Sequence, residues 1–232
     1  MEKDVIIACD FNSKEEVLNF LDLFQEEKLF LKIGMELFYA EGPDIVKEIK
    51  RRGHKIFLDL KLCDIPNTVE KAMAVLSKLD IDMCNVHASG TIQMMEAAIK
   101  GLTKEDGTRP ILIVVTQLTS TSEPRMQKEL LINSKIEDVV IHYALNAKQV
   151  GLDGVVCSPL EAGLVKNACG KDFITVTPGV RFADSNVQDQ VRVTTPAKAK
   201  ELGSDYIVVG RPITKADDPV KAYKRCKEEF LN

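Results

Sequence analysis

The sequence has no excess of basic residues, which argues against one broad class of function. It contains 31 Lys and Arg residues against 35 Asp and Glu residues, a formal net charge of -4 over 232 residues. Proteins that capture DNA or RNA through its phosphates need a basic face that replaces the counterions. We therefore expect no nucleic-acid partner, although a local basic pocket is compatible with this charge balance.

Long apolar runs are also missing from the sequence. No stretch approaches the ~20 consecutive apolar residues that a membrane helix requires. The first residues, Met1-Glu2-Lys3-Asp4, lack the apolar segment of a signal peptide. We expect a cytoplasmic protein without a membrane partner.

Neither disulfide nor metal-ligand spacing can be recognised. The six cysteines are far apart with no CxxC pair, and the three histidines show no ligand pattern. Several cysteines lie in apolar runs, so we expect reduced core thiols, and the missing ligand spacing leads us to expect no metal. His87 follows an apolar run, but a lone histidine is more often a packed core group than a catalyst, and we leave it out of the catalytic set.

The sequence does contain a repeated alternation of short apolar runs and amphipathic segments. Eight runs have the length and β-branched content of parallel strands buried on both faces. They are Val5–Cys9, Phe30–Ile33, Lys55–Leu60, Met83–Val86, Ile111–Val115, Gly154–Cys157, Phe173–Val176 and Tyr206–Val209. Between the runs, segments such as Ile136–Val150 have helical spacing, and here Gly151 supplies a C-terminal stop.

Eight such units predict one α/β domain over residues 1–232 with the (β/α)8, or TIM-barrel, fold. An open doubly wound sheet is the competing arrangement, but the sequence has neither GxGxxG after the first run nor a P-loop pattern. No linker rich in Pro, Gly or Ser divides the chain. In such barrels the chemistry lies where strands end and the following loops begin, and these positions are unusually polar here.

The third apolar run ends in two opposite charges, Asp59 and Lys61. On a strand, a spacing of two places both side chains on the same side. A structural ion pair is one explanation. However, Lys32 on the neighbouring run could join the pair and Asp64 follows on the loop, giving four alternating charges. Such a network favours the ammonium form of Lys61 and fixes its orientation, as suits an acid that protonates a carbanion.

The segment DLKLCDIPNT, residues 59–68, resembles the active-site signature of the orotidine 5′-phosphate decarboxylase family. The resemblance covers the whole chain, with further motifs in the family's order. These are ACD at 8–10, LKIG at 31–34, LTS at 118–120, TPGVR at 177–181 and VGRPI at 209–213. Cys63 departs from the His or Phe that is often found at its position in the family. This departure affects no residue with an assigned catalytic role.

This resemblance implies cofactor-free decarboxylation of orotidine 5′-phosphate to UMP and CO2, the last step of de novo UMP synthesis. It implies that Lys61 gives its proton to C6 of the pyrimidine, beside Lys32, Asp59 and Asp64. It also implies a homodimer with shared active sites, in which Asp64 and Thr68 reach across the interface.

The remaining substrate contacts are likewise implied by the resemblance. Asp10 matches the ribose-binding aspartate, and Thr119 and Ser120 match contacts to the ribose and the pyrimidine edge. The resemblance also matches Lys32, Asp59, Thr68 and Pro178 to substrate-binding positions. The family's phosphate and gripper-loop positions are matched by Arg181, Gln190, Gly210 and Arg211. A barrel's usual phosphate site, after strands seven and eight, agrees with that set.

Plainer explanations exist for several of these residues. Taken alone, Thr119 and Ser120 could be turn residues and Arg211 a solvated surface charge. Residues 184–192 could be a flexible loop and not a lid that closes over phosphate. Two other functions remain as alternatives: a metal-dependent phosphosugar lyase that shares the DxKxxD core, and a non-catalytic sensor of phosphoribosyl ligands.

Overall fold

Eight parallel strands pair in chain order, and the eighth pairs with the first to close a barrel. The computed structural model describes residues 3–25, 27–184 and 194–232. The strands are β1 (Asp4–Ala8), β2 (Phe30–Gly34), β3 (Lys55–Leu62), β4 (Met83–His87), β5 (Ile111–Val115), β6 (Gly154–Val156), β7 (Ile174–Thr177) and β8 (Tyr206–Val209). The predicted (β/α)8 fold is confirmed, and each predicted apolar run overlaps one strand.

Helices connect the strands and surround the barrel. Within the described ranges they are α1 (Lys14–Asp22), α2 (Met35–Glu41), α3 (Pro43–Arg51), α4 (Pro66–Leu76), α5 (Thr91–Leu102), α6 (Glu123–Glu129), α7 (Ile136–Val150), α8 (Pro159–Cys169), α9 (Pro196–Glu201), α10 (Arg211–Thr214) and α11 (Pro219–Leu231). A 3-10 turn, Ala88–Gly90, follows β4. No helix in these ranges is long and apolar enough to cross a bilayer.

Local sequence signals explain where several helices begin and end. The predicted helix α7 is confirmed, and Gly151 ends it in the left-handed conformation, with φ of 88°. Ser158 and Glu161 form a capping box at the start of α8. Five helices begin at a proline, which lacks the N–H that would have no partner in the first turn. These prolines are Pro43, Pro66, Pro159, Pro196 and Pro219.

The inward positions of β1 to β4 change from apolar to polar along the barrel axis. Because side chains alternate across a strand, every second residue points into the barrel. Near the N-terminal ends these residues are apolar: Ile6, Phe30, Phe57 and Met83. Further along the same strands they are polar: Asp10, Lys32, Asp59 and Asn85. The barrel is therefore packed at its N-terminal end and lined with polar groups at its C-terminal end.

Three aspartates join neighbouring strands at the N-terminal end of the barrel. Each directly precedes a strand, and its carboxylate accepts the backbone N–H of a residue in the strand before. The bonds run to Asp82 from Ile56 (2.7 Å), to Asp153 from Leu112 (2.7 Å) and to Asp205 from Thr175 (2.8 Å). Each carboxylate also pairs with a cation, namely Lys50, Arg109 and Lys166 respectively.

The cysteines follow the sequence expectation with one exception. All six are reduced thiols, and five of them are buried. Cys63 is exposed, because it lies in the loop just after the last residue of β3. The expectation of core thiols is therefore wrong for Cys63.

Candidate active site

Charged side chains from β2 and β3, and from the residues that follow β1, meet at the C-terminal end of the barrel. Lys32 Nζ lies 3.2 Å from Asp10 Oδ1 and 3.5 Å from Asp59 Oδ2. Lys61 Nζ lies 2.7 Å from Asp59 Oδ1. The cluster therefore runs Asp10, Lys32, Asp59, Lys61 with alternating sign, and we call these four residues the charged cluster.

Asp64 does not take the fourth place in this cluster that the sequence suggested. It is exposed in the single chain, and its Oδ1 accepts the N–H of Ile65 at 2.7 Å. Asp10 supplies the second carboxylate instead. The physical reason is that Asp64 lies beyond β3, on the exposed loop that leads into α4.

The backbone of Lys61 is unusual for a residue in a strand. Its φ is 51°, in the left-handed region, which costs an L-residue other than glycine ~1–2 kcal/mol. The pairing of β3 with β4 is irregular at this point, since Leu58 faces Cys84 and Leu62 faces Val86. The lysine thus meets Asp59 as predicted, but at a bulge and not by regular alternation along the strand.

Electrostatics within the cluster favour the charged forms of two buried groups. Burial alone raises the pKa of Asp59, but the charges of Lys32 and Lys61, with hydrogen bonds from Lys61 and Asn85, outweigh it and hold the pKa below its ordinary value. Burial alone lowers the pKa of Lys32, but the charges of Asp59 and Asp10 raise the pKa above its ordinary value. Both groups are therefore ionised at neutral pH.

Two adjoining cavities of about 200 Å³ each open beside the charged cluster. They share Lys32, Pro178 and Val208, so they form one continuous space. The first cavity contains Asp59, Lys61, Gln117, Thr119 and Ser120 among its lining residues. The second contains Asp10, Gly179, Arg181, Gly210 and Arg211.

These cavities bring together most of the predicted site residues. One side offers the lysines, an aspartate and hydroxyl groups, and the other offers two arginines and glycine backbone. A larger, shallow cleft of about 680 Å³ lies at the opposite end of the barrel, beside Lys148 and Lys171. We assign the site to the smaller pair because the charged cluster lines these two cavities.

Three predicted residues are not part of this space. Asp64 and Thr68 are exposed, on the loop after β3 and in the first turn of α4. Gln190 lies outside the described residues, together with most of the predicted 184–192 lid. Within the described ranges, no group of three or more His, Cys, Asp or Glu side chains is arranged to hold a metal ion.

His87, at the end of β4, makes local contacts. Its Nδ1 accepts the N–H of Ser89 at 3.3 Å and lies 2.9 Å from Ser89 Oγ, which caps the 3-10 turn. Burial, and to a smaller extent the charge of Lys61, lowers the pKa of His87. The ring is thus a neutral hydrogen-bonding group at neutral pH.

Comparison with known proteins identifies the family. A sequence model of the "Orotidine 5'-phosphate decarboxylase / HUMPS family" matches residues 3–226. The chain belongs to this family. A protein of Bacillus mycoides (strain KBAB4) named orotidine 5'-phosphate decarboxylase is 58% identical over 233 aligned residues, covering 99% of this chain and 98% of that protein.

Solved structures agree with this membership of the orotidine 5'-phosphate decarboxylase / HUMPS family. The crystal structure of orotidine 5'-phosphate decarboxylase from Lactobacillus acidophilus has a TM-score of 0.88 and 42% identity, with 100% of both chains covered. The crystal structure of an uncharacterized conserved protein from Geobacillus kaustophilus has a TM-score of 0.87 and 49% identity, covering 97% of this chain and 99% of that one.

Sequence reasoning did not select two polar residues that this family member places at the site. Gln117 is buried and lines the first cavity. Asn85 is fully buried and contacts both Asp59 and Lys61. The available signal was similar for each: a polar residue within an otherwise apolar strand, or two residues after it, where burial without a hydrogen-bond partner is costly.

Proposed function

We propose that this chain decarboxylates orotidine 5′-phosphate to UMP and CO2, with Lys61 as the acid. The observation that carries the proposal is the charged cluster, with its alternating signs, in a cavity of a member of this family. The name of the Bacillus mycoides relative supports the same reaction.

The proposed chemistry needs no cofactor because side chains supply both charge stabilisation and the proton. When the C6–carboxylate bond breaks, CO2 leaves and the electron pair stays on C6. The pair has no adjacent carbonyl to delocalise it, so the Lys61 ammonium stabilises it electrostatically and then transfers a proton from Nζ to form the C6–H bond. Lys61 regains a proton from water. Asp59, beside the departing carboxylate, contributes less, by raising the energy of the bound substrate.

The two cavities suggest how the substrate lies. The pyrimidine occupies the first cavity, with Thr119 and Ser120 at its edge, and the phosphate occupies the second, with Arg181 and Arg211. Asp10 then faces the ribose between them. Binding energy at the phosphate can hold the ring against the charged cluster, so a substrate without phosphate loses turnover as well as affinity.

The proposed active form is a cytoplasmic homodimer in which Asp64 and Thr68 reach the partner's site. Both side chains are exposed in the single chain and therefore available to a second subunit. Ile65, adjacent to Asp64, is 66% exposed, and a large apolar side chain in this position is suited to burial at an interface.

The first test measures the conversion of orotidine 5′-phosphate by purified protein in EDTA, monitored as the loss of the substrate's absorbance. We expect rapid turnover that EDTA leaves unchanged, and a loss of at least about 10³-fold in Lys61→Ala, which removes the acid and its charge together. Lys148→Ala, an exposed lysine at the opposite end of the barrel, is the matched control and should keep wild-type turnover.

Each contrary result has a definite meaning. Turnover of orotidine 5′-phosphate that EDTA abolishes contradicts the cofactor-free mechanism. Folded wild-type protein that neither turns over orotidine 5′-phosphate nor binds UMP indicates a metal-dependent phosphosugar lyase. Binding of UMP by folded wild-type protein without turnover of orotidine 5′-phosphate indicates a ligand sensor. Wild-type turnover in Lys61→Ala removes this lysine from the mechanism.

A further inference from the structure

Asn85 is a polar residue at a place where packing alone favours an apolar one. It lies on β4 between Cys84 and Val86, and all three residues are fully buried. Burying an amide costs free energy unless its donors and acceptors find partners, whereas a leucine of similar volume carries no such cost. The amide therefore has a role that an apolar side chain lacks.

Both polar atoms of the Asn85 side-chain amide form hydrogen bonds with the segment of β3 that carries Lys61. Nδ2 donates to Asp59 Oδ1 at 2.7 Å, and Oδ1 accepts the backbone N–H of Lys61 at 2.8 Å. Only one orientation of the amide satisfies both contacts, because a carboxylate can only accept and a backbone N–H can only donate. These two contacts fix the orientation of the Asn85 side chain. They also fix the Asp59 carboxylate and the Lys61 backbone relative to it.

The same contacts hold Lys61 at two points. Asp59 Oδ1, which accepts from Asn85, also accepts from Lys61 Nζ at 2.7 Å. The ammonium is therefore linked to Asn85 through Asp59, while the main chain of Lys61 is linked to Asn85 directly. Because this lysine is in the left-handed conformation at the β3 bulge, the side chain of Asn85 takes the place of a regular strand partner for its N–H.

We propose that Asn85 is a positioning residue that fixes the Lys61 main chain and the Asp59 carboxylate relative to each other and so aims the Lys61 ammonium at the reacting carbon. It acts through these two residues and not by touching the substrate. This inference rests on the proposed decarboxylation.

The first arm of the test uses Asn85→Leu, which keeps the volume and removes both hydrogen bonds. We expect kcat to fall by about 10²-fold, comparable to the loss of one preorganised polar contact. Affinity for UMP, measured by calorimetry, should change little, because the product lacks the carboxylate and the phosphate cavity does not include Asn85. Thr175→Val removes an equally buried hydrogen-bonding group at the N-terminal end of the barrel and should keep wild-type kcat.

The second arm uses Asn85→Asp, which is nearly isosteric and titratable. At neutral pH two carboxylates face each other where one amide and one carboxylate stood, so kcat should be low. As the pH falls, the pair takes up one proton, and the protonated carboxyl donates to its neighbour as the amide did. We expect kcat of this variant to recover between about pH 8 and pH 5, relative to wild type at each pH.

The outcomes separate this inference from the proposed function. If wild-type protein does not turn over orotidine 5′-phosphate, the proposed function is rejected and this inference with it. If wild type is active, a merely structural role for Asn85 predicts parallel losses of kcat and UMP affinity in Asn85→Leu and no recovery in Asn85→Asp. That pattern, or a kcat near that of wild type in Asn85→Leu, overturns this inference alone.

Discussion

Lys32 is the most enclosed cation of the charged cluster, and its position explains why the cluster tolerates burial. Its side chain is 13% exposed and lies between the carboxylates of Asp10 and Asp59. A buried charge without partners is strongly destabilising, but alternating signs give Lys32 and Asp59 at least one compensating contact each. Gly34 contributes space, since a Cβ at that position would lie 3.2 Å from Lys32 Nζ.

His54 shows the opposite behaviour, a buried group that stays neutral. Its Nδ1 accepts the N–H of Leu29 at 3.1 Å. Burial, followed by the charges of Lys28 and Arg52, lowers the pKa of His54. Since the folded pKa lies below the unfolded value, near 6.5, protonation favours the unfolded chain, and stability is lost as the pH falls through this range.

We therefore expect His54→Gln to weaken the dependence of stability on pH. The glutamine oxygen can still accept the Leu29 N–H but does not titrate. Urea denaturation at about pH 7.5 and 5.5 should show a smaller drop in the unfolding free energy for the variant than for wild type. The pKa of His87 is lowered as well, so His87→Gln measures how much that histidine contributes to the pH dependence of the unfolding free energy. Equal drops in wild type and His54→Gln would contradict the role given to His54.

At the scale of elements, the strands contribute to stability and chemistry at opposite ends. Their C-terminal ends supply the charged cluster, and their N-terminal ends supply the aspartates that join neighbouring strands. Asp205 is typical of these aspartates: its carboxylate accepts from the Thr175 N–H and from Lys166 Nζ at 2.5 Å. Both partners would be left without this acceptor if the side chain were removed.

We expect Asp205→Ala to lower the unfolding free energy by about 2–4 kcal/mol, because a partly buried cation and a buried N–H lose their acceptor. Turnover per folded molecule should stay at the wild-type level, since the site is at the other end of the barrel. The matched control is Asp172→Ala, an exposed aspartate on the same face. A large loss of turnover with unchanged stability would contradict this division between the two ends.

The elements themselves were predictable from sequence, whereas their irregularities were not. Strands buried on both faces leave a local compositional signal, and each of the eight predicted runs overlaps a strand, with bounds that differ by at most two residues. At the bulge in β3, the left-handed Lys61 and Asp59 hydrogen-bond to Asn85, which lies 24 residues from Lys61 and 26 from Asp59 in sequence. No local pattern encodes such a contact.

At the scale of the whole molecule, one chain brings together only part of the predicted site. The charged cluster, Thr119, Ser120 and the arginines line one space, but Asp64 and Thr68 point elsewhere in the single chain. Their proposed roles require a second subunit. The sequence does not show whether such residues act in the site of their own chain or in that of a second subunit. The structure of a single chain does not show this either.

Mixing two inactive variants tests this sharing. In a mixed dimer of Lys61→Ala and Asp64→Ala chains, one site carries both substitutions and the other carries neither. After subunit exchange at equal concentrations, half of the dimers are mixed, so we expect about one quarter of wild-type turnover. Each variant alone is the control. Turnover that stays at the level of the separate variants, once exchange is verified, would place Asp64 in its own chain's site or outside the mechanism.

The aspartates at the N-terminal end also divide the barrel into units along the sequence. Asp82 joins β3 to β4, Asp153 joins β5 to β6, and Asp205 joins β7 to β8. Every one of these links is contained within a single strand–helix–strand stretch of chain. The connections from β4 to β5 and from β6 to β7 carry no such carboxylate-to-N–H bond, but they hold Arg109 and Lys166, the cations that pair with Asp153 and Asp205. The exposed turn at residues 104–107, ahead of Arg109, is therefore a natural place to open the chain for circular permutation or domain insertion, because the β5–β6 unit would keep both its aspartate and its cation.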